Sequence, residues 1–458
     1  VRPYNLIQRG MAGLTRAYCV ERSTDQDAFM APTIAPVETS NDFPASTTVV
    51  IIGGGIIGLT AALTLAERGV PVTVLEKGRI AGEQSSRNLG WIRKTSRHGE
   101  DVPLALASDR LWATMAERTG SDVGYRQSGI MFLSRTPDQL AVHEAWLDSV
   151  AALSLDSRLL SAREIDAQVP GGRGDWAGAI FTPSDGYAEP TLASSAIARA
   201  AIARGAVIVE HCAVRNITRT GGQVSGVVTE RGEIRCDQVL LAGGMWSRRF
   251  LGNIGISLPT LPLILSVFRT GAMEGPTNSA VGGPDFSFRK HKDGGFIVTQ
   301  RGALDAPLTL DHLLVGSKYL SALRAQRGLL RISLGKHFWR DLALPRRWKN
   351  GNSPFERVRT LDPPINQVLN RDAHHNLSAA WPVFEKATIE EAWAGMIDIT
   401  PDSNPVIDAV PGVPGLTLAS GFSGHGFGTS PAAGQLAADL IMNNEPIIDP
   451  RPYRFGRF

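Results

Sequence analysis

The sequence predicts an α/β chain of more than one domain, on three observations. Its 458 residues allow two or three domains at ~150 residues each, with a large core. Just after position 46, a β-branched run, an Ala/Leu-rich run and a second β-branched run follow within about 30 residues, the order of a βαβ unit. Farther along, strand-like and helix-like segments alternate, with a small antiparallel meander between Val214 and Cys236.

Composition narrows the class. Glycine numbers 48, where an average usage of ~7% gives about 32. The excess has no three-residue period and hydrophobic residues make up 43%, so neither collagen nor a disordered glycine-rich chain fits. The glycines are expected where the backbone needs them. A net charge of +3 is too small to make nucleic acid the partner. Cys19, Cys212 and Cys236 are few and far apart, which excludes a disulfide framework and a cysteine-based metal site.

The elements follow in order. Thr47–Ile52 reads as a buried strand, Ile56–Arg68 as a helix closed by Gly69, and Val72–Leu75 as a second strand. Helices are expected from Leu104 to Thr119, over Pro137–Leu153, over Ala162–Val169 and over Thr191–Arg204, with a strand at Gly129–Leu133. The meander comprises Val214–Ile217, Val224–Thr229 and Ile234–Cys236, and Val239–Ala242 enters Gly243-Gly244 as a strand. Asp293-Gly294-Gly295 joins two hairpin strands. Leu313–Arg331 reads as helix, residues 332–376 as irregular, Leu416–Ser420 as the last strand and Pro431–Met442 as the last helix. The longest apolar run, Val49–Ala66, splits into strand and helix and is not read as membrane-spanning. Residues 1–45 hold arginines without an apolar core behind them, which argues against a secretory signal.

The strongest motif joins the first strand to the first helix. Gly53-Gly54-Gly55-Ile56-Ile57-Gly58 fits G-x-G-x-x-G. In that motif Gly53 serves the tight turn, Gly55 a close backbone approach to pyrophosphate, and Gly58 the packing of helix on strand. The helix N-terminus, with Ile56 and Ile57 in its first turn, offers N–H groups to phosphate. Glu76, followed by Lys77, ends the second strand where an acid accepts from ribose hydroxyls, and it disfavours a 2′-phosphate. FAD and NAD remain.

Three further segments bear on that choice. They are Gln84-Ser85-Ser86-Arg87-Asn88-Leu89-Gly90, the strand into Ala242-Gly243-Gly244-Met245-Trp246, and the loop Gly421-Phe422-Ser423-Gly424-His425-Gly426-Phe427-Gly428. With them, residues 47–445 resemble the FAD-dependent amino-acid and amine oxidoreductases, which include D-amino-acid oxidase, glycine oxidase and sarcosine oxidase.

The resemblance implies a Rossmann-like FAD-binding domain interleaved with an antiparallel-sheet substrate domain. The first takes residues 46–100, 185–255 and 390–445. The second takes 101–184 and 256–389. Residues 1–45 form a partly flexible extension and 446–458 a tail. The implied FAD is non-covalent, because Trp393-Ala394-Gly395-Met396-Ile397-Asp398 lacks the cysteine that sarcosine oxidases use. Ser85, Ser86, Arg87, Asn88, Leu89 and Gly90 would run beside it. Val214, Ala242, Gly243, Trp246 and Gly395 would contact it, as would Gly421, Gly424, His425, Gly426, Phe427 and Gly428. Arg93 and His425 are the expected catalytic residues near the flavin. Gly428 stands where sarcosine oxidases carry a lysine for the substrate carboxylate, so that contact is missing.

The implied activity is oxidation of a C–N bond of an amino acid or secondary amine by hydride transfer to flavin N5, giving an imine that hydrolyses. Oxygen, a quinone or a partner subunit would take the electrons. Phe296–Gln300 holds no lysine of the kind such oxidases use for oxygen, which leans toward a dehydrogenase. A non-catalytic FAD subunit of a heteromeric dehydrogenase is the alternative of another class. The expected location is cytoplasmic, with a peripheral position at the inner face of the membrane also open.

Overall fold

The computed structural model of the chain describes residues 31–326, 328–349 and 351–458. Most of the expected extension, with Cys19, lies outside the described residues. Residues 31–45 are not separate from the fold. The Ala35 N–H donates to the Thr191 carbonyl (3.3 Å), and the Ala35 carbonyl accepts from Ser195 Oγ (2.6 Å). The Ser40 N–H donates to the Ile208 carbonyl (2.8 Å).

The βαβ unit forms as expected: strand Val49–Ile52, helix Ile56–Glu67 and strand Val72–Leu75. It seeds a six-stranded sheet ordered 406–409, 416–420, 238–241, 49–52, 72–75, 207–209. All neighbours are parallel except the first pair. Strands buried on both faces need apolar residues at every position, which is why Val49-Val50-Ile51 shows no alternation. The first helix is buried from Ile56 to Ala66 because the last helix and helix Pro190–Ala203 pack on it. The meander appears as Val214–Thr220, Gln223–Thr229 and Gly232–Arg235.

The last helix corrects an expected boundary. It spans Gly426–Ile441 and carries Pro431 inside it. Proline there removes an N–H that Phe427 O would accept, and Ser430 Oγ donates to that carbonyl instead (2.8 Å). Thr60 Oγ1 also donates to the Ser430 carbonyl (2.9 Å), locking the helix to the first one. The loop before it therefore ends at His425, in the N-cap position.

The second sheet has ten strands. Its centre is Leu261–Thr270, which pairs antiparallel along its length with Ile389–Ile399. That second strand is not evident in the sequence, because Glu390, Glu391 and Asp398 break its apolar run. It joins the large sheet rather than the parallel one, although residues 390–399 were assigned with the FAD-binding half. Conversely, helix Val102–Ala113 packs on the last helix, with Trp112 Nε1 donating to the Gly428 carbonyl (2.9 Å). By packing it belongs with the parallel half.

The expected helix over 313–331 is broken. Leu310–Val315 and Leu320–Gln326 flank a 3₁₀ turn from Gly316, and Leu330–Ser333 is a strand beside Leu304–Pro307. Gly316 and Gly328 sit at the breaks, as the helix cost of glycine predicts. The region read as irregular contains helices Lys336–Ala343, Pro354–Arg357 and Gln367–Ala380. The last of these covers an aromatic core of Phe268, Phe288, Phe296, Trp381 and Phe384.

Candidate active site

The parallel strands end together, and a cavity opens at their carboxyl ends, where open α/β sheets bind ligands. It holds about 1240 Å³ of space, counted out to its mouth. Gly53, at φ +114°, turns the chain so tightly that a Cβ would lie 2.4 Å from the Ala242 carbonyl oxygen. A Cβ on Gly58 would lie 2.2 Å from the Gly53 carbonyl oxygen, so this glycine serves packing, as expected. A Cβ on Gly55 would meet only Ser85 Oγ, at 3.1 Å, so the open side of Gly55 faces the cavity. The Glu76 carboxylate accepts from the Gly54 N–H (2.8 Å) and the Gly78 N–H (2.7 Å). Burial pushes its pKa up, while Lys77 and those two N–H groups work the other way. A glycine-lined helix N-terminus, a carboxylate at the second strand end and a long cavity between them fit a dinucleotide.

The expected cofactor residues divide into two groups. Gly53, Gly55, Ile56, Ile57, Glu76, Lys77, Ser85 and Asn88 line the cavity. So do Val214, Ala242, Gly243, Trp246, Gly424, Gly426 and Phe427. Lys77 is engaged there: its Nζ donates to Glu83 (2.7 Å) and sits 4.6 Å above the Trp246 ring.

The others do not line it. Arg87 is buried in the framework, donating to the carbonyls of Gly82, Leu361 and Ala394 and to the Asp362 carboxylate. Ser86 Oγ donates back to Glu83 O (3.2 Å), and the Leu89 carbonyl accepts from Arg289. A Cβ on Gly90 would lie 2.1 Å from the Ala188 carbonyl oxygen, and one on Gly395 would lie 2.2 Å from Gln84 Oε1. Gly421 is pressed against Thr400, and its N–H donates to Asp398 (2.7 Å). Gly428 is pressed against Trp91, where a Cβ would come 2.6 Å from its carbonyl oxygen. No side chain fits there, so Gly428 is a crossing point of helix and strand rather than a vacated carboxylate site.

His425 lies between Gly424 and Gly426 at the cavity edge. Burial and the charges of Arg97 and Arg93 push its pKa well down, so it is neutral at pH 7. Arg93 lies over the Phe132 ring, 5.6 Å from guanidinium carbon to centroid, and donates to the Thr95 carbonyl. Arg97 pairs with Asp101 (2.7 Å).

Sequence reading missed Arg301. Its guanidinium lies 4.4 Å over the same Phe132 ring, and its Nη1 is buried without a hydrogen bond. Burial alone lowers its pKa to about 10, and Arg93 falls to about 9 through burial and its neighbours Arg97 and Arg301. Both stay charged at pH 7. Trp91 Nε1 is a second buried donor without a partner, and its ring meets Phe132 edge-on at 5.6 Å. No motif marks Arg301, since it enters from the far sheet. Met396, on strand Ile389–Ile399 of the same sheet, and Phe355, on the short helix Pro354–Arg357, also line the cavity and carry no motif either.

A family model, DAO, for FAD dependent oxidoreductases, matches residues 48–440. The chain belongs to this family. FAD is thus the cofactor that the cavity suits. The L-amino acid deaminase of Proteus myxofaciens, solved in complex with anthranilate, is 34% identical. That likeness covers 93% of this chain and 96% of that one, with a TM-score of 0.89. Glycine oxidase of Pseudomonas aeruginosa is 29% identical over 88% of this chain and 97% of its own length. The mitochondrial sarcosine dehydrogenase of Mus musculus is 24% identical over 96% of this chain but only 44% of its own length. The chain therefore spans less than half of that relative. The family's mixture of parallel and antiparallel sheets is the one described above.

Proposed function

We propose that this chain oxidises the Cα–N bond of an α-amino acid and that Arg301 holds the substrate carboxylate. The observation that carries this is the pair of unmet donors around Phe132, Arg301 Nη1 and Trp91 Nε1. An uncompensated buried cation is costly, and Arg301 forms no ion pair among the described residues. A carboxylate satisfies both donors and the charge. FAD, when bound, supplies the two-electron sink. The chain binds and orients the substrate, and Arg93, Arg97 and Arg301 favour the neutral amine that loss of hydride requires. The imine product hydrolyses in water. His425, already neutral, is a wall of the site rather than a general base on this reading. The likeness to an L-amino acid deaminase solved with anthranilate, itself an aminocarboxylate, favours the L series.

Anaerobic addition of L-amino acids, D-amino acids and the matching decarboxylated amines to the yellow holoprotein tests this. L-amino acids should bleach the flavin. Bleaching by the amines at the same rate would sink the carboxylate anchor.

A peripheral membrane position is the finer reading of location. Among the described residues no helix is long and apolar enough to cross a membrane. Leu313, Leu314, Ile332, Leu334 and Trp339 are instead exposed, each by more than half. From Leu313 to Arg340 the chain has no Asp or Glu, while Lys318, Arg324, Arg331 and Lys336 are interspersed. Apolar side chains among basic ones suit an anionic lipid surface.

A further inference from the structure

We infer that a second cavity, behind Met245 and Met396, binds the ring of a lipid-soluble quinone that reoxidises the cofactor. The inference deepens the proposed function and rests on FAD occupying the first cavity.

The second cavity holds about 750 Å³ of space, the open volume at its mouth included. Met245, Trp246, Met396 and Asp398 line both cavities, so one layer of side chains separates their contents.

Most of the charges around the second cavity are already spent on one another. Arg248 pairs with Asp311 (2.8 Å), Arg249 pairs with Asp341, and Arg346 reaches both acids at 2.8 and 2.6 Å. Arg340 is exposed at the rim. An anionic amino acid therefore finds no buried free cation here. The remaining lining includes Leu261, Pro262, Pro307 and Leu344. Among them, His337 presents a buried Nε2 without a hydrogen bond. Burial and nearby Arg340 lower its pKa, so a neutral imidazole faces an apolar space. That pair of features suits a flat apolar ring bearing carbonyl oxygens.

The outer wall shows how such a ring arrives. Helix Lys336–Ala343 turns His337 and Asp341 inward and leaves Trp339 and Leu342 exposed. Its outer side continues the apolar, basic surface of Leu313 and Leu314. A quinone dissolved in lipid reaches the cavity from that side without crossing bulk water. The exchange balances: reduced flavin gives up two electrons and two protons, the quinone takes up both, and quinol and oxidised flavin result.

The test uses the holoprotein and a decyl-substituted benzoquinone. Equilibrium dialysis of oxidised quinone against oxidised protein reads binding without turnover. Flavin reduced photochemically is then mixed with the quinone or with ferricyanide, a hydrophilic acceptor that needs no apolar pocket. Leu344→Trp, which fills the cavity, should weaken quinone binding and slow reoxidation by quinone about tenfold or more. Flavin content and reoxidation by ferricyanide should stay as in the wild type. Should that variant lose flavin, His337→Leu carries the test through the same readouts. A wild type that does not bind the quinone overturns the inference, as does a flavin-replete cavity variant that binds and reoxidises normally. Photoreduction bypasses the amino acid, so failure to bleach with any amino acid counts against the proposed substrate and not against this site.

Discussion

At the scale of single residues, the carboxylate anchor proposed here is a cation that no motif marks. Arg93 was expected at the flavin, yet its guanidinium already donates to the Thr95 carbonyl. Arg301 holds the unmet valence. Arg301→Met should therefore raise KM for amino acids more than it lowers kcat. Removing one partner of a buried charged pair costs about 2–5 kcal/mol, so steady-state kinetics should show kcat/KM falling by roughly 30-fold or more. Dithionite reduction of the bound flavin should be unchanged. The glycines separate in the same way. Gly53→Ala forces a Cβ into the Ala242 carbonyl at a positive φ, so the variant should be recovered poorly folded and without flavin. Gly55→Ala meets only a serine hydroxyl, so it should fold and bind flavin more weakly. Absorbance of bound flavin per protein checks both.

At the scale of elements, strand Ile389–Ile399 does two jobs. Met396 and Asp398 line both cavities, while Gly395 lets the strand cross the helix Gln84–Arg87. The Asp398 carboxyl is pushed up to about 6 by burial, against the Gly421 N–H and Ser420 hydroxyl that favour its charged form. The folded protein thus holds this proton more tightly than the unfolded chain does. The contribution of Asp398 to stability therefore declines as pH rises from about 4 through about 6, by up to ~3 kcal/mol. Urea unfolding across that range should show the wild type losing ground relative to Asp398→Asn, whose side chain does not titrate. An unchanged gap would contradict the raised value. The segment from Leu304 to Ala343 carries the element-scale prediction about location. Flotation with anionic vesicles should retain the wild type. The double variant Leu313→Ser, Leu314→Ser should bind them less, with flavin content unchanged.

At the scale of the whole molecule, the two halves are joined by a pair that neither half's sequence pattern shows. Arg289 of the large sheet donates through both terminal nitrogens to Glu189 at 2.7 and 2.8 Å, with both side chains almost wholly buried. Burial opposes the charge on Glu189, but Arg289 overcomes it and holds the carboxyl below its ordinary range. Arg289→Met leaves an unpaired buried carboxylate and should cost about 3–5 kcal/mol by denaturant unfolding. Arg289→Met with Glu189→Gln should recover part of that loss.

Local order was legible. The βαβ unit, the meander and most of the glycine turns are written in short-range patterns of apolar, branched and glycine residues, which act within a few residues of one another. Misread elements are those whose partners are distant in sequence. Pro431 looks like a helix start until Thr60 and Ser430 hydroxyls are seen to satisfy the turn around it. Ile389–Ile399 looks irregular until Leu261–Thr270 supplies its hydrogen bonds. Gly428 reads as an absent lysine until Trp91 is seen to occupy the space.

By itself, then, the sequence determined the dinucleotide fingerprint, the family resemblance and the residues of the first phosphate turn, because backbone conformation and periodicity are local. Only the tertiary structure decided which cation keeps an unmet donor, which glycines line the first cavity and which merely pack, and that a second cavity shares a wall with the first. Those depend on burial and on unmet hydrogen bonds, and both arise only when segments hundreds of residues apart are brought into contact.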